Sequence, residues 1–422
     1  MKSKIAIIGS GIAGLSAAYF LQTEFEVTLF EKNNYLGGHA NTQQVVDSQG
    51  NKISVDTGFI VYNERTYPNL TKLFNELQVP TSKSDMSFSF YNSQNNFEYG
   101  GGSLRALFAN PKNIYNPKFY RMLKDIVFFY KKFQKSNVST ELSIKDYLST
   151  HSYSVEFINN HLLPLISSIW STPYQNSLDQ PLSSIITFFQ NHQLFNFIQR
   201  PQWKTVSQGS SNYIKRLVAV SNFQIKMNAT ITSINREKTI QINTKDEKGL
   251  NFDFIIFACP PHQFLPLLDH LTDAERNILS TFQFQQNHIQ LHQNTSWMPP
   301  HPTAWSSWNF HSNENQQCTL TYWMNLLQPL PTKDNFFVSL NQNQPNALYE
   351  TYYDHPIFSL ATKQAQQNIG KIQGGNNTYY VGSYLGYGFH EDGIQSALKV
   401  CEKMKVDLVN FKDADTSRVI WN

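Results

Sequence analysis

Three stretches of sequence predict an α/β fold, α+β overall, in which a dinucleotide-binding domain is interleaved with a second domain of mixed sheet and helices. In "KIAIIGSGIAGLSAAYFL" a short apolar strand meets glycines spaced GxGxxG and then a helix. A following strand, Val27 to Phe30, ends in an acid, Glu31. Near the other end, "YYVGSYLGYGFHEDGIQSALKV" leads a buried strand through glycines into a last helix. The chain between them shows no internal repeat and no long linker, so each domain is expected to be assembled from separate segments. Residues 1–80, 201–262 and 373–422 are assigned to the first domain, and 81–200 and 263–372 to the second.

Bulk composition agrees with two folded domains. A length of 422 residues exceeds what one simple core organises. Apolar residues make up 40% and charged residues 15%, which excludes a disordered chain. Aromatics at 14% fit a large apolar interior, an apolar ligand cavity or a compositional habit. The net charge of +3 is too small to recruit nucleic acid. Cys259, Cys318 and Cys401 stand far apart without metal-ligand spacing, which fits a reducing compartment. The apolar run before Gly9 is too short for a secretory signal, and no run reaches the ~18–20 residues that span a membrane. A cytoplasmic protein is expected, at most peripheral to a membrane.

The first forty residues carry the strongest chemistry. Gly9 permits the tight turn, Gly11 lets a pyrophosphate approach the backbone, and Gly14 lets the helix pack on the strand. Ile12 and Ala13 open that helix, whose N–H groups face the phosphates. Glu31, about 20 residues beyond the glycines, suits a ribose hydroxyl pair.

"EKNNYLGGHANT" extends the pattern: five residues separate Glu31 from Gly37 and Gly38. This resembles the flavoprotein amine-oxidase superfamily, in which Glu-x5-Gly-Gly-Arg continues past the turn toward the flavin. His39 stands where that superfamily usually has arginine. The resemblance implies FAD and further cofactor contacts at Lys32, His39, Thr57, Gly58, Ile231, Ala258, Gly382, Ser383, Phe389, Asp392, Gly393 and Ile394. A covalent tether to the flavin is not evident.

Downstream, Pro68 onward reads as a helix and "SFSFYNSQNNFEYGGG" as a hairpin. Residues 140–200 read as largely helical around "PLISSIWSTPY", which holds Trp170. "WKTVSQGSSNYIKRL" resembles the superfamily's return to the cofactor domain. "FQIKMNATITSINRE" and "TIQINT" alternate as hairpin strands, and "FDFIIFACPP" is a buried strand. Residues 264–282 read as helical. Strands follow in "IQLHQ", "AWSSWNF", "CTLTYWMN" and "NFFVSLN".

At the C-terminus, Gly382 is expected to end a strand and Asp392-Gly393 to open the last helix. The resemblance points that helix at the flavin, where its positive end stabilises the reduced ring. Glycine at 393 would allow a close approach. Asp392 is either a helix cap or a catalytic acid. His390 and Glu391 are the catalytic candidates, and a histidine bonded to a loop carbonyl is the bland alternative.

"GYGFHEDG", "IWSTPY", "WSSWNF", "TYWMN", "GGHANT" and "DTGFIVYN" together resemble a bacterial subfamily of FAD-dependent oxidoreductases. Its members occur beside lipid methyltransferases of the cyclopropane-fatty-acid-synthase type, or fused to them in plants. The resemblance spans nearly the whole chain. It implies a redox step on a lipid acyl chain and a methyltransferase partner.

Trp308, Tyr322 and Trp323, with Trp170, are expected to line an apolar substrate pocket; aromatic stripes in strands are as readily core. Neither strand offers a carboxylate for an ammonium group. His288 and His292 lie on one strand face without an evident third ligand, so no metal is expected. Between Arg105 and Lys135, basic residues interleave with aromatics, which suits an anionic membrane surface or a helix with a solvated basic face. The expected reaction is hydride removal from a carbon of an unsaturated or methylated fatty-acyl or phospholipid chain, with the flavin reoxidised by dioxygen or a carrier. A redox-neutral isomerase or hydratase, a non-catalytic flavin-binding partner and a polyamine or amino-acid oxidase are the rivals.

Overall fold

The computed structural model describes residues 2–421 apart from 137, 139–140, 199, 238 and 313–317. Two sheets organise it. A five-stranded sheet has the order Thr378–Tyr380, Phe254–Phe257, Lys4–Ile8, Glu26–Phe30 and Gln224–Lys226. All its pairs are parallel. Its central strands are apolar runs covered on both faces, as parallel strands must be. The helix Ile12–Leu21 lies on one face, and nine of its residues are buried. It packs against the last helix, His390–Lys403: a Cβ added at Gly393 would meet Ile12 Cγ2 at 2.7 Å.

The second sheet has seven strands, from Tyr349–Ile357 through Gln283–His292, Phe337–Leu340, Leu320–Trp323, Trp308–Ser312 and Phe88–Asn92 to Phe97–Gly100. Its pairs are antiparallel except where Trp308–Ser312 runs parallel to Phe88–Asn92. A helical layer from residues 117–191 shares one apolar core with this sheet. The two sheets draw their strands from alternating stretches of chain, and Asp56 ties two returns together. Its carboxylate is fully buried and accepts from Ser210 N, Ser210 Oγ, Thr42 Oγ1 and Gln328 Nε2.

Three expectations change. The last helix begins at His390, not at Asp392-Gly393, and Asp392 Oδ2 reaches back to accept from Phe389 N at 2.8 Å. The strand Tyr349–Ile357, absent from the expected set, is the longest neighbour of Gln283–His292. The basic helix Pro117–Phe133 turns Phe119, Met122, Ile126, Phe129, Tyr130 and Phe133 into the core, so that apolar face is unavailable to a membrane. The predicted helical run 140–200 holds its helices between 144 and 191; residues 140 and 199 lie outside the described residues.

Candidate functional site

The turn after Lys4–Ile8 forms a cradle shaped for a dinucleotide. Gly9 has φ +103, a conformation side chains rarely adopt. A Cβ at Gly14 would lie 1.9 Å from Gly9 O, so only glycine lets the helix start there. At Gly11 a Cβ would meet nothing within 4 Å. That open space above a helix N-terminus is where phosphate oxygens fit. Glu31 lies beside it at the end of its strand, accepting from Ser10 N at 3.0 Å and Asn33 N at 2.8 Å. Gly37 N donates to Ser10 O, which closes the double glycine onto the turn; Gly38 packs on Gly11 Cα. His39 Nε2 is buried without a hydrogen-bond partner. This cradle and the orphaned ring nitrogen fit a dinucleotide such as FAD.

From the cradle a cavity of about 330 Å³ runs between the sheets. Gly11, Ile12, Ala13, Gly37, His39, Gly58, Ala258, Gly382, Ser383, Phe389 and His390 line it, together with Trp170, Trp308 and Tyr322. Trp308 stands edge-on to Tyr322 with centroids 5.1 Å apart, and its buried Nε1 has no partner. Trp170 Nε1 donates to Tyr387 O, which fixes one wall against the glycine loop.

Other expected contacts lie outside the lining. Trp323 faces Trp305 and donates to Asn335 Oδ1. Lys32 is exposed and donates to Gln263 Oε1. Thr57 Oγ1 bonds Asn41 O and Tyr353 Oη; Ile231 opens the strand Ile231–Asn235 and packs in an apolar core. Ile394 is fully buried core, and Gly393, itself outside the lining, packs the last helix on Ile12.

The two catalytic candidates separate sharply. Glu391 is fully buried and accepts from Asn69 N, Asn69 Nδ2 and Leu70 N, capping the helix Pro68–Glu76. Its carboxylate holds two helices together and does not line the cavity. Asp392 is also fully buried, beside Arg418 at 3.8 Å. His390 does line the cavity, stacked on Phe59 at 3.6 Å and 3.4 Å from Tyr213 Oη.

His390 is nevertheless no acid at neutral pH: burial pushes its pKa down to about 3. Burial lowers His39 too, partly opposed by the Asp354 carboxylate. His355, which sequence reasoning missed, also lines the cavity and is pushed down to about 3 by burial and then by His39. Asn287 Nδ2 donates to His355 Nδ1 and to Ser171 O, so the imidazole proton sits on Nε2. His192 lines the cavity as well and is likewise lowered by burial, so four neutral imidazoles surround the cavity as hydrogen-bonding groups. The alternation in "YETYYDHPI" was the available signal for His355.

Buried neutral histidines also set acid stability. Burial pushes His161, His192 and His390 to about 3, and unfolded imidazole titrates near 6.5. Between these values the unfolded chain binds more protons, so stability rises with pH through that window and falls on acidification. At about pH 5 each of the three costs roughly 2 kcal/mol. Asp56, raised to about 6 by burial, offsets part of this loss. Urea midpoints should fall markedly from about pH 7 to about pH 5.

Arg200, a second missed residue, is the only lysine or arginine among the described lining residues, and Asp354 is the only carboxylate. Asp354 accepts from Gln263, the partner of Lys32, so it belongs to the cradle end. Arg200 lines the cavity with Leu194 and Trp203. His288 and His292 are occupied elsewhere, beside Glu350 and Ser339 respectively.

Comparison with known proteins agrees with this geometry. Residues 7–77 match the model of the NAD(P)-binding Rossmann-like domain. The chain is 22% identical over 433 residues to coproporphyrinogen III oxidase of Staphylococcus aureus, covering 88% of this chain and 90% of that protein. A candidate protoporphyrinogen oxidase from Exiguobacterium sp. 255-15 superposes with a TM-score of 0.69 at 14% identity, over 96% of this chain and 99% of that one. The fatty acid isomerase from P. acnes that produces CLA gives 0.65 at 16%, over 95% and 98%. Cyclohexylamine oxidase from Brevibacterium oxydans IH-35A gives 0.65 at 14%, over 96% and 100%. The chain thus has an amine-oxidase-like fold, with a Rossmann-like dinucleotide-binding domain at residues 7–77.

Proposed function

We propose that this protein is an FAD-dependent oxidoreductase acting on an apolar substrate with an anionic end, namely an unsaturated or methylated fatty-acyl chain. The observation that carries the reading is the cavity lining. Leu165, Ile169, Phe188, Trp308 and Tyr322 offer apolar surface, and Arg200 is the one cation among the described lining residues. An ammonium substrate finds no carboxylate there, since Asp354 lies toward the cradle. A carboxylate or phosphate does find a partner in Arg200.

FAD, when bound, would supply the two-electron acceptor for a substrate that loses a hydride from one carbon and gives the proton of its neighbour to a neutral imidazole of the cavity, with dioxygen or a carrier as final oxidant. The chain's own groups do the rest. The aromatic walls exclude water and hold the acyl chain extended. Arg200 fixes the register of the chain by its head group. Phe59 and Tyr213 hold the His390 ring in one orientation. The neutral His355 Nε2–H remains a donor toward the cavity.

A second reading is redox-neutral double-bond isomerisation, favoured by the likeness to the fatty acid isomerase. Both readings are tested by anaerobic titration of the FAD-loaded protein with a free unsaturated fatty acid, its methyl ester and coproporphyrinogen III. Oxidation predicts bleaching by the free acid. Arg200→Ala should raise the half-saturating concentration roughly tenfold, as expected for loss of one charge-assisted hydrogen bond. Bleaching by the porphyrinogen alone would move the substrate class. Product without bleaching or oxygen uptake would favour isomerisation.

A further inference from the structure

The cavity's outer end meets a surface that is basic and apolar at once. Cavity-lining Leu194 and Arg200 bracket Phe197 and Ile198, which are 59% and 77% exposed. That segment leans on the basic helix Pro117–Phe133. Phe197 stacks on Tyr130 with centroids 5.5 Å apart, and Gln134, just past the helix, donates to Asn196 Oδ1 at 2.8 Å.

Gln134 continues a stripe that runs along this helix. Tyr120, Lys124, Val127, Lys131 and Gln134 alternate in steps of four and three, which places them on one face. All are exposed. Lys118, Arg121 and Lys135 are exposed beside them. The helix's one acid, Asp125, accepts from Ser154 N on another flank. Among the described residues no carboxylate lies within ion-pair distance of these cations. Water covers apolar side chains next to unneutralised lysines, and this borders the cavity.

We propose that this face docks on an anionic phospholipid bilayer and thereby holds the cavity mouth against the membrane. Phe197, Ile198, Tyr120 and Val127 enter the interfacial layer, and Lys124 and Lys131 meet lipid phosphates. Apolar anchors and cations each contribute, and neither is sufficient alone. The cavity would then receive an acyl chain without its crossing water. Docking does not depend on the substrate reading, because vesicle binding needs no turnover.

The test is co-sedimentation of the intact, FAD-loaded protein with phosphatidylcholine vesicles containing or lacking phosphatidylglycerol. The wild type should bind only the anionic vesicles and be released by salt. K124E/K131E should weaken partitioning about tenfold or more, and F197S/I198S by roughly tenfold. All four sites are exposed, so both variants should melt like the wild type. Wild-type protein that ignores anionic vesicles, or variants that bind as tightly as the wild type, would overturn the proposal. So would a wild-type dimer that F197S/I198S converts to monomer in light scattering, since a second copy would then cover the face.

Discussion

Gly11→Val should give a folded protein that no longer retains FAD. A Cβ at this position meets no protein atom within 4 Å, so the fold has no reason to resist it. The same Cβ fills the space above the N-terminus of Ile12–Leu21 where phosphates would approach. Overpacking of this kind costs about 1–3 kcal/mol, roughly ten- to hundredfold in cofactor affinity. Flavin absorbance per mole of protein reads the loss, and the melting temperature of FAD-free protein reads the fold. Gly14→Ala provides the contrast. Its Cβ would collide with Gly9 O, so it should lower both flavin content and melting temperature. If Gly11→Val keeps full flavin content, the cofactor does not lie over this turn.

Glu391→Ala should be the more damaging change for stability. It leaves Asn69 N and Leu70 N without their acceptor in a fully buried site, takes one of the two acceptors of Asn69 Nδ2, which keeps Asp415 O, and removes the partner of Gln395 Nε2. Each stranded buried donor costs about 1–3 kcal/mol, so a loss of roughly 3–5 kcal/mol is expected. Glu391→Gln keeps one acceptor oxygen and should recover part of it. Denaturant titration measures both. If Glu391→Ala left the denaturation curve unchanged while abolishing activity, the residue would be catalytic after all.

The history of Glu391 shows where sequence reading stops. The local signal, a His-Glu-Asp run between glycines beside a helix, was legible, and the chain does begin its last helix there. Which acid serves which role was not, because Glu391 finds Asn69 and Leu70 across more than 300 residues of chain. The cradle was legible because its chemistry is local: Gly9, Gly11 and Gly14 act within one strand–turn–helix. Trp308 and Tyr322 were placed in the lining because cross-strand neighbours share a face, whereas Trp323, one residue on, points the other way. Arg200 was invisible because it sits in a connection without regular structure, where no periodicity marks orientation. His355 lay in a strand mixing tyrosines, acids and a proline, a weak strand signal. The basic helix was recognised as amphipathic, but sequence could not tell that the core claims most of its apolar face.

In the proposed function a flavin dinucleotide lies over the first turn with its ring in the apolar cavity. The visible absorbance spectrum of the purified protein, with and without added FAD, tests this most directly. An oxidised-flavin band that persists through gel filtration, and whose chromophore is FAD on denaturation, is the predicted result. A colourless protein that stays colourless after incubation with FAD, while still folded, would contradict it.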